Sequence, residues 1–159
     1  METIVKLGDL EEPMLVLVDH GLEINLMAKS LHQKGRWSID VDHDWRIGAA
    51  NMLLGNLYDT CANVKVTIGD ESDEHNFFIQ EHPSYPVILG QPYITAVRME
   101  TKVLDDGSTY ARIRSRDAKR AVQFLTVCVS HAKNKTVYVT IHYPGFAKRF
   151  GKTGFRRIF

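Results

Sequence analysis

The chain has 159 residues, 44% of them apolar, which suffices for one buried core with tails and not for two large ones. Its formal charge of +1 averages two opposed halves: residues 1–97 carry 15 acids against 6 bases (net −9), and residues 98–159 carry 4 acids against 14 bases (net +10). No apolar run approaches the roughly 20 residues of a membrane span, and Cys61 and Cys128 fit neither a zinc spacing nor a disulfide framework, so no membrane and no oxidative stapling are expected.

Ile4–Leu7 and Met14–Val18 are β-rich runs separated by Gly8-Asp9 and Pro13, a pattern that predicts a hairpin feeding a buried strand ending at Asp19-His20-Gly21. Asn25 is placed to cap a short helix through Leu26, Met27, Ala28 and Leu31, closed by Gly35. Trp45–Ala50 and Leu53–Tyr58 flank Asn51, with Gly55 a further soft point, and predict an antiparallel ribbon. Val64, Val66 and Ile68 alternate with Lys65 and Thr67 as in a half-buried strand, and Gly69-Asp70-Glu71-Ser72 would turn it into a second strand, His75–Gln80.

Pro83 and Pro86 break the pattern before the apolar run Val87-Ile88-Leu89-Gly90, and Pro92 suits the first turn of a short helix reaching Val97. Met99–Leu104 and Ser108–Arg114 bracket Asp105-Asp106-Gly107, where Asp-Gly is a strong hairpin signal. Val122–Val129 and Thr136–His142 add two strands. Ala147–Phe159 mixes Lys148, Arg149, Lys152, Arg156 and Arg157 with Phe150, Phe155 and Phe159 without clean periodicity, and reads as a tail.

The segment Leu15-Val16-Leu17-Val18-Asp19-His20-Gly21-Leu22-Glu23-Ile24-Asn25-Leu26-Met27 resembles the active-site loop of retropepsins, in which a buried strand ends in Asp-Ser/Thr-Gly. Val87-Ile88-Leu89-Gly90-Gln91-Pro92-Tyr93-Ile94 is similar to the second signature of that family, and a candidate flap that includes Ala49, Ala50 and Asn51 lies between them at about Ile47–Leu57. The order and spacing resemble the protease of fungal long-terminal-repeat retrotransposons over roughly Ile4–Val127. The resemblance implies an all-β acid-protease closed barrel with one or two short helices over residues 1–127, then a C-terminal extension over 128–159 with a basic, aromatic tail. Asp19 would be the catalytic carboxylate, His20 and Gly21 would complete its loop, and Ile88, Leu89 and Gly90 would support the cleft.

An aspartate in such a loop works only beside a second one. The two share a proton, so that one activates a water as general base while the other protonates the substrate carbonyl. Asp105-Asp106-Gly107 also spells Asp-x-Gly, but it occupies a predicted hairpin turn. The family resemblance therefore implies a homodimer of two-fold symmetry in which Asp19 of a second copy completes the site. Position 20 departs from the family: its serine or threonine hydroxyl braces the two aspartates from beneath, whereas histidine is far larger and titrates near pH 6.5. Two outcomes stay open, an endopeptidase acting on extended peptide or polyprotein bonds, and a decayed or domesticated protease frame kept for dimerisation or peptide binding.

The remaining features read as structural. Asp40, Asp42, His43 and Asp44 have no partner cluster at a diagnostic spacing, so a solvated acidic loop is expected, with no metal and no cofactor. Arg112, Arg114 and Arg116 alternate on one strand face, with Lys119 and Arg120 just beyond. Such a face can meet nucleic-acid phosphates, a weaker reading than simple solvation, because no recognised nucleic-acid module surrounds it. Met1-Glu2-Thr3 lacks the basic-then-apolar order of a secretory signal, and a cytoplasmic or nuclear location is expected.

Overall fold

The computed structural model describes residues 1–40, 57–126 and 138–142. Six strands close into a barrel: β1 (Glu2–Leu7), β2 (Met14–Val18), β3 (Leu26–Ala28), β4 (Leu57–Ile68), β5 (Glu71–Gln80) and β6 (Val87–Leu89), ordered β1-β2-β6-β3-β5-β4. Two short helices, α1 (Lys29–Gly35) and α2 (Gln91–Ala96), accompany it. A separate antiparallel sheet follows: β7 (Glu100–Val103), β8 (Thr109–Arg114), β9 (Arg120–Thr126) and β10 (Tyr138–His142), ordered β10-β9-β8-β7. This is the expected β-rich closed barrel with short helices. No helix among the described residues is long and apolar enough to cross a membrane.

Alternation builds the barrel. Val16 and Val18 of β2, Val64, Val66 and Ile68 of β4, and Phe77 and Ile79 of β5 turn inward and are essentially sealed from solvent, while Lys65 between them is exposed. Leu7, Met27, Val87 and Leu89 fill the same core. Gly8, at φ +50°, turns β1 toward β2, and its N–H donates to Lys65 O at 2.8 Å. The β4–β5 turn is tighter than the sequence suggests, since Ile68 pairs with Glu71 across Gly69-Asp70 alone. Strand β5 begins four residues earlier than expected. Its first inward positions are acidic, so the hydrophobic pattern there conceals the strand.

One element differs outright. Leu26–Ala28, expected as the first turn of a helix capped by Asn25, is a strand that runs parallel to β5 and antiparallel to β6. All three residues are buried, and hydrogen bonding on both edges outweighs the helical spacing of their side chains. The helix starts only at Lys29, without a side-chain cap, and ends with Arg36 in the left-handed region at φ 52°.

The second sheet contributes Ala111, Ile113, Val122 and Phe124 to the core cluster. Its β7–β8 turn is the Asp105-Asp106-Gly107 hairpin: Leu104 N–H donates to Ser108 O (2.7 Å), Gly107 N–H to Leu104 O (2.9 Å), and Gly107 takes φ +80°. Asp106 accepts from the Ser108 hydroxyl and N–H, which hold its carboxyl below the usual range. Strand β10, from the segment expected as an extension, pairs with β9 from Tyr138↔Phe124 to His142↔Arg120. The candidate flap with Ala49, Ala50 and Asn51, the residues Asp42, His43 and Asp44, Cys128 and the basic tail lie outside the described residues.

The core sets the stability. Phe77→Ala, at a fully buried position, is expected to lower the unfolding free energy in urea by about 3–5 kcal/mol. Val103→Ala, at a position 67% exposed, should stay within about 0.5 kcal/mol of the parent.

Candidate active site

Asp19 follows the last residue of β2, and its N–H donates to Leu89 O of β6 at 3.0 Å, continuing the parallel β2–β6 ladder in which Val18 pairs with Leu89. The chain then turns. Asp19 Oδ1 accepts the Gly21 N–H at 2.9 Å, and Asp19 O accepts the Leu22 N–H at 3.3 Å. The carboxylate is thereby oriented by the backbone of its own loop, which satisfies one of its lone pairs with an N–H donor. A Cβ on Gly21 would stand 3.3 Å from Asp19 Oδ1, so a larger residue would crowd the carboxylate. Asp19 is partly buried, and His20 and Gly21 are exposed.

The loop is anchored to the second apolar segment. Gln91 N–H donates to Leu22 O (2.7 Å) and Gln91 Nε2 to His20 O (2.5 Å). Gly90 N–H donates to Asn25 Oδ1 (2.9 Å), Asn25 Nδ2 donates to Asn76 O (3.1 Å), and Phe78 N–H donates to Asn25 O (2.9 Å). Asn25 is 1% exposed, so its amide replaces water for the backbone of Gly90, just past β6, and of Asn76 in β5. Leu22–Ile24 cross Gly90 so closely that a Cβ there would lie 2.0 Å from Ile24 O and 2.5 Å from Leu22 O. Only glycine allows the crossing.

An apolar row continues from the loop. Leu17 pairs with Ile88, Ile88 with Leu26, and Leu26 with Phe78. Their neighbours Val16, Val18, Val87, Leu89, Met27, Phe77 and Ile79 belong to the core cluster, and none of the four does, so the row occupies the opposite face of the sheet. Leu26 and Ile88 are buried, Leu17 and Phe78 half-buried, and Leu15 farther along β2 is 41% exposed. Only Val18 lies between Leu17 and Asp19 along the extended chain, so the carboxylate and the row share one side.

The structure thus brings together Asp19, His20, Gly21, Leu89 and Gly90 by hydrogen bonds and sets Ile88 in the adjoining row. Leu89 supports the site through its carbonyl, its side chain being a core group at 0% exposure. Sequence reasoning missed Asn25 and Gln91, the two amides that hold the loop. Asn25 looked like a helix cap, and only the strand assignment of Leu26–Ala28 exposes its real partners. Cys61 is no rival nucleophile: burial pushes its thiol up to about 11. Asn25→Ala, which strands the Gly90 N–H, and Gly90→Ala, which forces the crossing segments apart, should each lower the unfolding free energy by about 1–3 kcal/mol. His20→Ala, at an exposed position, should change it by less than about 0.5 kcal/mol in the same denaturation assay.

No protein-family model matches the chain, and no curated protein matches it in sequence. Among solved structures, the crystal structure of the retroviral protease-like domain of Ddi1 from Leishmania major is similar to it, with a TM-score of 0.51 at 14% sequence identity, covering 90% of this chain and 93% of that chain. At that identity the likeness concerns the fold, and the fold is retropepsin-like: an all-β closed barrel carrying its Asp-x-Gly loop at the end of a barrel strand.

Proposed function

We propose that the chain is one protomer of an aspartic endopeptidase that cleaves an extended peptide or polyprotein segment, with Asp19 from each of two copies flanking the attacking water. The observation that carries this reading is the Asp19 carboxylate, oriented by Gly21 N–H in a loop locked onto Leu89-Gly90-Gln91 at the barrel's end. Hydrolysis needs a base to take a proton from water and an acid to give one to the carbonyl oxygen, and one carboxylate cannot do both at once. Asp106 is committed to the β7–β8 turn, so the partner carboxylate is assigned to a second copy. The row Leu17, Ile88, Leu26 and Phe78 favours apolar side chains of a substrate lying extended beside Asp19.

His20 favours a second reading. It is exposed where the resembling family carries a small hydroxyl, and a bulky imidazole there suits a protease frame retained for dimerisation or peptide binding without turnover. Nucleic acid fits less well as a partner. Arg112 and Arg114 meet Glu100, Arg116 meets Asp73 and Arg120 meets Glu71, so these guanidiniums already face protein carboxylates. Descent from a fungal long-terminal-repeat retrotransposon, and a cytoplasmic or nuclear setting, belong to the same proposal.

Peptide cleavage between about pH 4 and 6, where a carboxylate pair sharing one proton operates, separates the readings. The parent chain should cleave with pepstatin sensitivity, Asp19→Asn should remove turnover, since an amide cannot act as the base, and His20→Ser should raise it. Turnover that survives Asp19→Asn would refute the assignment. Binding of peptide without turnover by both the histidine and serine forms would establish the second reading.

A further inference from the structure

The inward-facing positions of β5 read Glu71, Asp73, His75, Phe77 and Ile79. Three ionisable side chains thus precede two apolar ones on a face that an ordinary barrel fills with hydrocarbon. Each meets a group from outside the barrel. Arg120 Nε of β9 lies 2.9 Å from Glu71 Oε1, and Arg116 Nη2, just beyond β8, donates to Asp73 Oδ1 at 2.7 Å. The Tyr93 ring of α2 stands edge-on to the His75 imidazole, with centroids 4.9 Å apart. The barrel and the second sheet therefore meet across a row of charges beside a small cavity that Asp73, Tyr93, Ile113 and Arg116 help to line.

His75 is the odd member. It is 7% exposed, and its Nε2 lies 3.2 Å from Asp73 Oδ2 without the alignment of a hydrogen bond. Burial pushes its pKa below the ordinary 6.5; Asp73 pulls it up and Arg116 pushes it down, with burial prevailing. While His75 is neutral, two carboxylates balance two guanidiniums. Among the described residues, the groups packed around it supply no further anion: the β4 residues opposite Glu71, Asp73 and His75 are Ile68, Val66 and Val64, and α2 supplies the phenol of Tyr93. In the β8–β9 turn, Asp117 is taken by the Ser115 hydroxyl and the Lys119 N–H, Arg98 is bound to Ser115 O and Arg116 O, and Arg114 is paired with Glu100.

We infer that Glu71, Asp73 and His75 form an acid-sensitive joint between the barrel and the second sheet, in which a proton taken up by His75 draws Asp73 away from Arg116 and loosens the β8–β9 end of the sheet. A proton on His75 leaves the cluster with one buried positive charge too many. The cation that leaves at least cost is Arg116, whose side chain is 82% exposed and rehydrates freely. Because the folded-state pKa is lowered, the loosened state binds more protons. The joint is therefore at full strength above about pH 6.5 and weakens as pH falls below it. The inference is independent of any catalysis at Asp19.

Hydrogen exchange of the full chain at about pH 7.5 and about pH 5.5, corrected for intrinsic exchange rates, tests the joint by comparing β8–β9 with β1–β2. Protection of β8–β9 should fall about tenfold relative to β1–β2 at the lower pH. His75→Gln should abolish that difference, and Arg116→Gln should lower β8–β9 protection already at the higher pH. Parallel changes in both regions, or a pH response that persists in His75→Gln, would overturn the joint. Should His75→Gln fail to fold, titration of the His75 ring protons by NMR in the parent chain decides. A midpoint coinciding with the loss of β8–β9 protection supports the inference, and one more than about a unit away contradicts it.

Discussion

The backbone of Leu22–Ile24 crosses Gly90 at a distance that leaves no room for a methyl group, and the position of Asp19 follows from that crossing. A chain leaving the buried strand β2 must turn back over the junction of β6 and α2, and the turn buries the Gly90 N–H beneath it. The polar groups of the turn find partners in the Asn25 amide, in Gln91 and in the carbonyl of Leu89. Leaving the buried Gly90 N–H unmet costs about 1–3 kcal/mol. Loop, strand end and helix start are thus tied together, and a carboxylate placed on them inherits the rigidity that the proposed water activation would demand.

The same economy of polar groups joins the two sheets. Glu71 and Asp73 belong to the acidic first part of the chain, and Arg116 and Arg120 to the basic second part. The charge asymmetry that invites a reading as a polyanion-binding surface is therefore partly internal, spent where the barrel meets the second sheet. Arg112 and Arg114 are likewise directed at Glu100 on the adjacent strand. Burial opposes the charge of Glu100, yet the two guanidiniums hold its carboxyl below the usual range. An alternating row of arginines can be a strand's own cross-strand pairing as readily as a phosphate rail.

Much of this was legible in the sequence. The β1–β2 hairpin, the strand ending at Asp19, the Asp-Gly turn at 105–107 and the Val87–Gly90 run declare themselves through period-two alternation and turn chemistry, which are local signals. Leu26–Ala28 misled because three buried residues carry no period, and whether they are helix or strand is decided by β5 and β6, distant in sequence. The start of β5 was hidden because Glu71 and Asp73 point inward, against the rule that acids face solvent. Asn25 and Gln91 were illegible for a related reason: their roles are hydrogen bonds to residues 51 and 71 positions away, which no spacing records.

The proposed chemistry requires the one Asp19 of each chain to find its twin. A crystal structure of the proposed dimer, with or without a bound peptide, measures this directly as the distance between the two Asp19 carboxylates. Proton sharing predicts that they approach to about 3 Å across the two-fold axis, with Gly21 N–H still bound to each. A dimer that holds them more than about 6 Å apart, or one that joins the chains through a face remote from Asp19, would contradict an aspartic peptidase site.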